Sequence, residues 1–313
     1  MQRVRLGRTS LMVSAVGLGC GGHSRLGMAT GNDEHHAADI VRAAIDVDID
    51  FIDTARAYGT ERAVGAAVHG IRDKIVISTK AMVTNRDGLL SAQEITASLE
   101  HSLNQLRTDY VDIFHLHGVT VEQYPHCRDV LVPELLRQKA AGKIRFLGIT
   151  ERFSDDTAHT TFSSHALPDN LFDVVMVGFN LLNPSARRSV FPQTIAQDVG
   201  TLIMFAVRRA LNSDDAVREA VGKLIACGEI AANAIDVSDP LGFVRQAPGV
   251  NSVVEAAYRF CRHEPGAHVV LTGTGNKAHL AENVASILAP PLPAEVSARL
   301  RTIFGDINSV SGN

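Results

Sequence analysis

Two hydrophobic patterns take turns along this chain. Short runs built around a few consecutive apolar residues predict strands covered on both faces. They are Lys74-Ile-Val-Ile-Ser-Thr-Lys80, Tyr110-Val-Asp-Ile-Phe-His-Leu-His117, Ile144-Arg-Phe-Leu-Gly-Ile-Thr150, Val174-Val-Met-Val-Gly-Phe-Asn180, Gly200-Thr-Leu-Ile-Met-Phe-Ala206 and His268-Val-Val-Leu-Thr-Gly273. Between them, apolar residues recur at helical spacing, as Ala37, Ile40, Val41, Ala44 and Ile45 do after Asp33. Ser91 with Glu94 reads as a capping box opening a helix to Leu106, and Gly142 ends one predicted from Asp129 to Ala141. Further helices are predicted from Glu61 to His69, weakly after Ser154, from Arg187 to Asp198, Asp214 to Cys227, Asn251 to Arg262, Lys277 to Leu288 and Ala294 to Phe304.

At the start, apolar runs Arg3 to Leu6 and Leu11 to Val16 flank Gly7-Arg-Thr-Ser10 and read as a hairpin. With Ser14 to Leu18 as first barrel strand and Asp50 to Asp53 as the next, about eight strand–helix units follow one another. That count predicts a (β/α)8 TIM barrel over a single domain, residues 1–313, with an N-terminal β-hairpin and extra C-terminal helices. The rhythm stretches between about Val207 and Ala267, and the tail from Asn308 reads as frayed. An open doubly wound sheet is the rival. Its glycine fingerprint is missing, because Val16-Gly-Leu-Gly-Cys-Gly-Gly22 runs into a loop rather than a helix. Those glycines read instead as backbone lying tight against a ligand or a turn.

Composition changes this picture little. Hydrophobic residues make up 45% and aromatic ones 5%, with no Trp, which suits aliphatic packing between helices and strands. A net charge of −4, without long like-charge blocks, gives no footprint for nucleic acid or an anionic membrane. Cys20, Cys127, Cys227 and Cys261 match neither a disulfide framework nor a zinc spacing, and the histidines form no H-E-x-x-H pattern, so no metal is expected. Met1-Gln-Arg-Val-Arg lacks the apolar core of a signal peptide, and the longest apolar stretch, near Val174 to Leu182, is too short for a bilayer. A soluble, cytoplasmic protein is the expectation.

Candidate chemistry gathers at strand ends. Asp53, Lys80 and His117 close consecutive predicted strands, and Tyr58 follows Asp53 in the next loop. In a barrel of this type, active sites lie at the C-terminal ends of the strands. A free phenol is a sluggish acid at neutral pH, and a nearby ammonium favours its phenolate. Lys80 is placed to do this, Asp53 to hold Lys80, and His117 to hydrogen-bond a substrate oxygen. Each residue alone has an ordinary structural reading: a solvated lysine, a packed histidine, a loop-capping aspartate, a packed tyrosine. Together they read as proton-transfer machinery that lacks electrons of its own, so a redox cofactor is the implied partner. His115 lies two residues earlier, on the same side of its strand but one layer deeper, and reads as packed or supporting.

These residues resemble the aldo-keto reductase family. The resemblance runs through Asp53-Thr-Ala-Arg-Ala-Tyr58-Gly59, Ser78-Thr-Lys80, Asp112-Ile-Phe-His-Leu-His117, Gly142-Lys-Ile-Arg-Phe-Leu-Gly-Ile-Thr150, Phe179-Asn-Leu-Leu182 and Gly273-Thr-Gly-Asn-Lys-Ala-His-Leu-Ala-Glu-Asn283, and Leu6 to Ser14 fits the family's opening hairpin. It implies a barrel that binds a nicotinamide dinucleotide and passes hydride between it and a carbonyl carbon. Tyr58 would then be the proton donor, Lys80 and Asp53 its tuning pair, and His117 the group orienting the carbonyl.

The resemblance also implies cofactor contacts, with departures. Thr150-Glu151 stands where the family has Ser-Asn for the carboxamide, and Met176 where it has Gln. Phe205 keeps the aromatic that stacks on the nicotinamide, and Arg208 or Arg209 follows it in place of Ser-Pro-Leu, able to pair with pyrophosphate. Gly273, Thr274, His279 and Asn283 occupy the region where relatives grip a 2′-phosphate with Lys or Arg, and Lys277 is near. NADP(H) or NAD(H) is expected, with a slight lean to NADP(H). The substrate is expected to be a small carbonyl compound or a sugar, selected by loops at Gly21 to Asp33, Val119 to Arg128 and Val207 to Val250. A catalytically weak cofactor-binding barrel, serving as a regulatory or structural subunit, is the alternative.

Overall fold

A computed structural model describes the whole chain, residues 1–313. The strands in order are β1 (Arg3–Arg5), β2 (Met12–Ser14), β3 (Val16–Gly19), β4 (Phe51–Asp53), β5 (Val76–Met82), β6 (Thr84–Asn85), β7 (Gly88–Leu89), β8 (Val111–Val119), β9 (Ile144–Glu151), β10 (Val174–Gly178), β11 (Gly200–Met204) and β12 (Val269–Thr272). Eight of them close into a barrel in the order β3-β4-β5-β8-β9-β10-β11-β12, every neighbouring pair parallel. β1 and β2 form the expected antiparallel hairpin, and β6 with β7 a second, unforeseen one.

Burial explains the apolar-rich strands. Their outward side chains join the helices in one cluster of 75 buried residues. Inward side chains at the opposite end form a smaller cluster: Phe51, Ile113, Val174, Met176, Leu202 and Val269, with Leu6 and Val13 of the hairpin. Most of these lie near the starts of their strands, so the hairpin plugs the N-terminal end of the barrel and leaves the C-terminal end open. Helix starts follow the capping rules. Ser91 and Glu94 make the full capping box, and Asp33 accepts from the His36 N–H at 2.9 Å, so Asp33 caps the helix Glu34–Asp46 rather than entering it.

Four expectations need correction. The helix expected from Arg187 to Asp198 is two, Ala186–Ser189 and Phe191–Ala196, with Pro192 at the start of the second; proline removes an N–H and crowds the preceding turn. The helix expected from Asp129 begins earlier, through a π-helical stretch Cys127–Leu131 leading into Val132–Ala140. The helical segment after Ser154 starts only near Phe162, again π-helical, and is short. The tail is not frayed. Asn180 Nδ2 donates to Ser311 O at 3.0 Å, Asn183 Nδ2 to Val310 O at 2.8 Å, and Ala210 N to Gly312 O at 3.1 Å. These bonds hold the tail against the segments that follow β10 and β11. No helix is long and apolar enough to cross a membrane, and all four cysteines are free.

Candidate active site

Register builds the acidic and basic pair. β4 and β5 set Asp53 beside Ser78, and Lys80, two residues along, points to the same face. Ser78 Oγ donates to Asp53 Oδ1 at 2.8 Å; Lys80 Nζ donates to Asp53 Oδ2 at 2.7 Å and to Thr54 O at 2.8 Å. The Lys80 side chain is 0% exposed and that of Asp53 4%. Burial raises the Asp53 pKa against the pull of Lys80 and Ser78. Burial also disfavours the Lys80 ammonium, but Asp53 and Tyr58 outweigh it and hold the lysine pKa above its ordinary value. Two strong donors on one carboxylate keep the couple an ion pair at neutral pH.

Tyr58 rides on a single 3-10 turn, Arg56–Tyr58. The turn is fixed from both sides: Arg56 Nη1 donates to Ser98 Oγ at 2.9 Å, and the Thr54 and Thr60 hydroxyls meet at 2.9 Å. Lys80 Nζ lies 4.8 Å from the centre of the Tyr58 ring. Gly21 lies against that ring; a Cβ there would stand 2.6 Å from Cε2 and 2.7 Å from Cζ. The close approach therefore needs glycine, and the glycine-rich stretch is backbone packed on a functional side chain.

His117 comes from β8, where the ladder with β9 is irregular between Leu116 and Val119. Its Nε2 is 3.5 Å from the Tyr58 hydroxyl, with the two rings edge to face. Burial, then Lys80 and Arg152, push its pKa down to about 3, so the imidazole is neutral and can donate one N–H. His115, in register with Lys80, is fully buried one layer below. It lies over Gly148, where a Cβ would come within 2.2 Å of His115 Nδ1.

The open end of the barrel holds a cavity of about 890 Å³, and Asp53, Tyr58, His117, Thr150, Glu151, Met176, Phe205, Arg208, Gly273, Thr274, His279 and Asn283 all line it. Lys80 stands behind this wall, reaching it only through Asp53 and Tyr58. Thr150 Oγ1 accepts the Gly118 N–H at 2.7 Å, which leaves its own O–H able to donate. Met176 presents an apolar wall from β10. Phe205 is held at φ +67°; its edge meets Phe153, and the Arg208 guanidinium covers a face 4.0 Å from the ring centre. The Arg208 side chain makes no hydrogen bond to the protein, and its buried Nε is unpartnered. Asn283 Nδ2 donates to Thr272 Oγ1 at 2.9 Å, which also meets the Tyr258 hydroxyl at 2.9 Å.

Glu151, at the carboxamide position by resemblance, already has partners in the protein. Its buried carboxylate already accepts from Gly178 N at 2.8 Å and faces His159 Nδ1 at 2.9 and 3.0 Å. Burial raises its pKa against those contacts. Phe153 stacks on His159 at 5.1 Å, completing a wall that sequence reasoning missed. Arg152, Arg209, Glu282 and His23 also line the cavity. Arg152 directly follows a strand end, a signal that was present; Glu282 is hidden on a helix face. No cluster of three or more His, Cys, Asp or Glu side chains is arranged to hold a metal ion.

The Aldo/keto reductase family model matches residues 16–304. The chain is 27% identical to "Aldo-keto reductase YhdN" of Bacillus subtilis (strain 168), over 97% of this chain and 94% of that one. Among solved structures, aldo-keto reductase AKR11C1 from Bacillus halodurans in its holo form superposes with a TM-score of 0.72 at 23% identity, covering 96% of each chain. An aldo-keto reductase from Klebsiella pneumoniae in complex with NADPH superposes at 0.67 and 21% identity, over 97% of this chain and 95% of that one. Barrel, cavity and family match agree: this chain belongs to the aldo/keto reductase family of oxidoreductases.

Proposed function

We propose that this protein interconverts a carbonyl compound and its alcohol with a nicotinamide dinucleotide as redox partner, Tyr58 carrying the proton. The observation that supports this most is the convergence of Tyr58, Lys80, Asp53 and His117 on one end of a single cavity. The cavity residues fit a dinucleotide: Arg208 offers an unpartnered guanidinium suited to phosphate, Phe205 an aromatic surface, and Thr150 a free O–H. A bound nicotinamide supplies hydride to the carbonyl carbon, or accepts it in the reverse direction.

The rest falls to the chain. Neutral His117 directs its Nε2 N–H at the substrate oxygen, which Tyr58 also reaches. Tyr58 then gives its proton to that oxygen as charge develops there, and the ammonium of Lys80 stabilises the phenolate left behind. Asp53 never touches substrate; it keeps Lys80 charged and fixed. In the oxidative direction the same phenolate takes the alcohol proton. General acid–base help of this kind is worth roughly 10²–10⁴-fold.

The NADPH held by the Klebsiella pneumoniae protein supports NADP(H). Against it, Glu282 lines the cavity near His279 and Asn283 while Lys277 does not, an arrangement that disfavours a 2′-phosphate. Dissociation constants for NADPH and NADH, from quenching or energy-transfer fluorescence, weigh the two. Turnover is then read on a panel of aldehydes, ketones and aldoses with each cofactor. Tyr58→Phe should abolish turnover and keep cofactor affinity within about threefold. A wild-type protein that binds cofactor but turns over nothing in the panel gives way to the binding-barrel reading.

A further inference from the structure

We propose that Arg152 forms an anion subsite on the His117 side of the cavity, so that the preferred carbonyl substrate carries a carboxylate; this rests on the reductase reading above. The charge pattern of the lining leads there. Its two buried carboxylates turn inward: Asp53 to Lys80 and Ser78, Glu151 to His159 and the Gly178 N–H. Three guanidinium groups, on Arg152, Arg208 and Arg209, face the same cavity, and none donates a hydrogen bond to the protein. The third carboxylate of the lining, Glu282, is exposed on the helix Lys277–Leu288; the three carboxylates equal the three guanidinium groups in number, but two of the carboxylates are already paired within the protein.

Position divides the three. Arg208 and Arg209 lie on the loop after β11, with Arg208 stacked on Phe205. Arg152 follows Glu151 at the end of β9, which pairs with β8 at Val119, and β10 stands between it and β11. Its Nε is 3.9 Å from where a Cβ of Gly118 would be, directly after His117. The two arginines after β11 thus stand with Phe205, the side a nicotinamide would take in the reading above, and Arg152 stands beside His117, which that reading gives the task of orienting the carbonyl. Arg152 is among the charges that hold the His117 pKa down, which agrees with this nearness.

Neighbouring carboxylates do not use Arg152 up. Its one contact is Nη1 to Asp155 Oδ2 at 3.5 Å, beyond a good hydrogen bond, and Asp155 is 56% exposed. Asp156 is held by the Thr160 and Thr161 N–H groups, and Glu122 by the Thr120 hydroxyl. A half-buried guanidinium with open donors suits a carboxylate, which it can bind through two parallel N–H bonds. The substrate class this selects is an aldehyde or ketone bearing a carboxylate, or the corresponding hydroxy acid in reverse.

The test compares acids with their methyl esters, so that only the charge changes: 4-carboxybenzaldehyde against methyl 4-formylbenzoate, and succinic semialdehyde against methyl 4-oxobutanoate. For at least one pair, wild-type kcat/KM should favour the acid by about tenfold or more at low ionic strength, and the ratio should shrink as salt is added. Arg152→Gln should cut the acid-to-ester ratio by about tenfold, through KM, and Arg152→Lys should restore part of it. Cofactor Kd and melting temperature, measured on each variant, separate this from a general loss. A wild type that reduces esters and acids alike, or an Arg152→Gln ratio equal to wild type, overturns the subsite and leaves the reductase reading standing. A wild type that binds cofactor and reduces neither acids, esters nor any other carbonyl overturns both.

Discussion

Replacing Gly21 by alanine puts the packing of Tyr58, the proposed proton donor, to the test. Gly21 sits away from the positive-φ region, so the new methyl brings no backbone strain of its own. Its Cβ would stand 2.6 Å from Tyr58 Cε2, and ordinary contact begins at 3.4 Å, so something must move by about 0.8 Å. The Tyr58 ring cannot slide far the other way, because Lys80 lies over it and the Thr54–Thr60 and Arg56–Ser98 bonds fix its turn. The relief is expected to fall on the hydroxyl. Misplacing a reacting group by about 1 Å can cost about 10²-fold in rate, or about 2.7 kcal/mol in barrier. Steady-state kinetics on the best carbonyl substrate should show kcat down by about that factor, with cofactor Kd and melting temperature near wild type. If Gly21→Ala keeps full kcat, the loop at Gly21 gives way instead of the phenol, and the claim that this glycine positions Tyr58 is refuted.

Two further outcomes follow from buried contacts. Gly148→Ala drives a methyl to 2.2 Å from His115 Nδ1 inside the barrel, and overpacking of this kind costs about 1–3 kcal/mol; denaturant unfolding should show a lower midpoint at unchanged slope, and an unchanged midpoint would show that His115 has room to move. Acid should erode stability early. Folded His117, with its pKa pushed down to about 3, and His115, held well below the ordinary value by burial, Lys80 and His117, bind fewer protons than they do unfolded. Stability is then full above about pH 6.5 and falls by about 1.4 kcal/mol per pH unit for each group as pH drops towards the folded pKa. Unfolding midpoints from pH 7 to pH 4 should lose less of this dependence to high salt than a surface-charge effect would, and His117→Gln should remove its share.

What was legible in the chain was whatever local pattern encodes. Strands buried on both faces announce themselves as short apolar-rich runs, and a capping box is a spacing of three residues. Asp53, Lys80 and His117 at predicted strand ends, with Tyr58 in the loop after the first, could be aligned because a parallel barrel turns sequence order into neighbourhood. Contacts made by backbone or by distant turns were not legible. Gly21 shows no side chain from which to infer its place beneath Tyr58. Glu151 reads as an open acceptor until a turn with His159 at φ +61° brings the imidazole onto it. The tail, Asn308-Ser-Val-Ser-Gly-Asn313, is polar enough to read as loose, yet the Asn180 and Asn183 amides, more than a hundred residues away, take its carbonyls. Pro192 was in plain sight, and the helix break at Val190 follows from it.

Aldehydes damage proteins by adding to amines and thiols, and the composition of the cavity wall bears on that hazard. No lysine and no cysteine lines it. Lys80, which the proposed chemistry needs, is sealed behind Asp53 and Tyr58, and its raised pKa keeps it an ammonium, which has no lone pair with which to form an imine. Cys20, near the same site, is buried, and desolvation holds its thiol far from the reactive thiolate. Positive charge at the wall comes from guanidinium groups instead, which are poor nucleophiles. The chamber can thus hold an electrophile beside a cation without offering it a covalent partner.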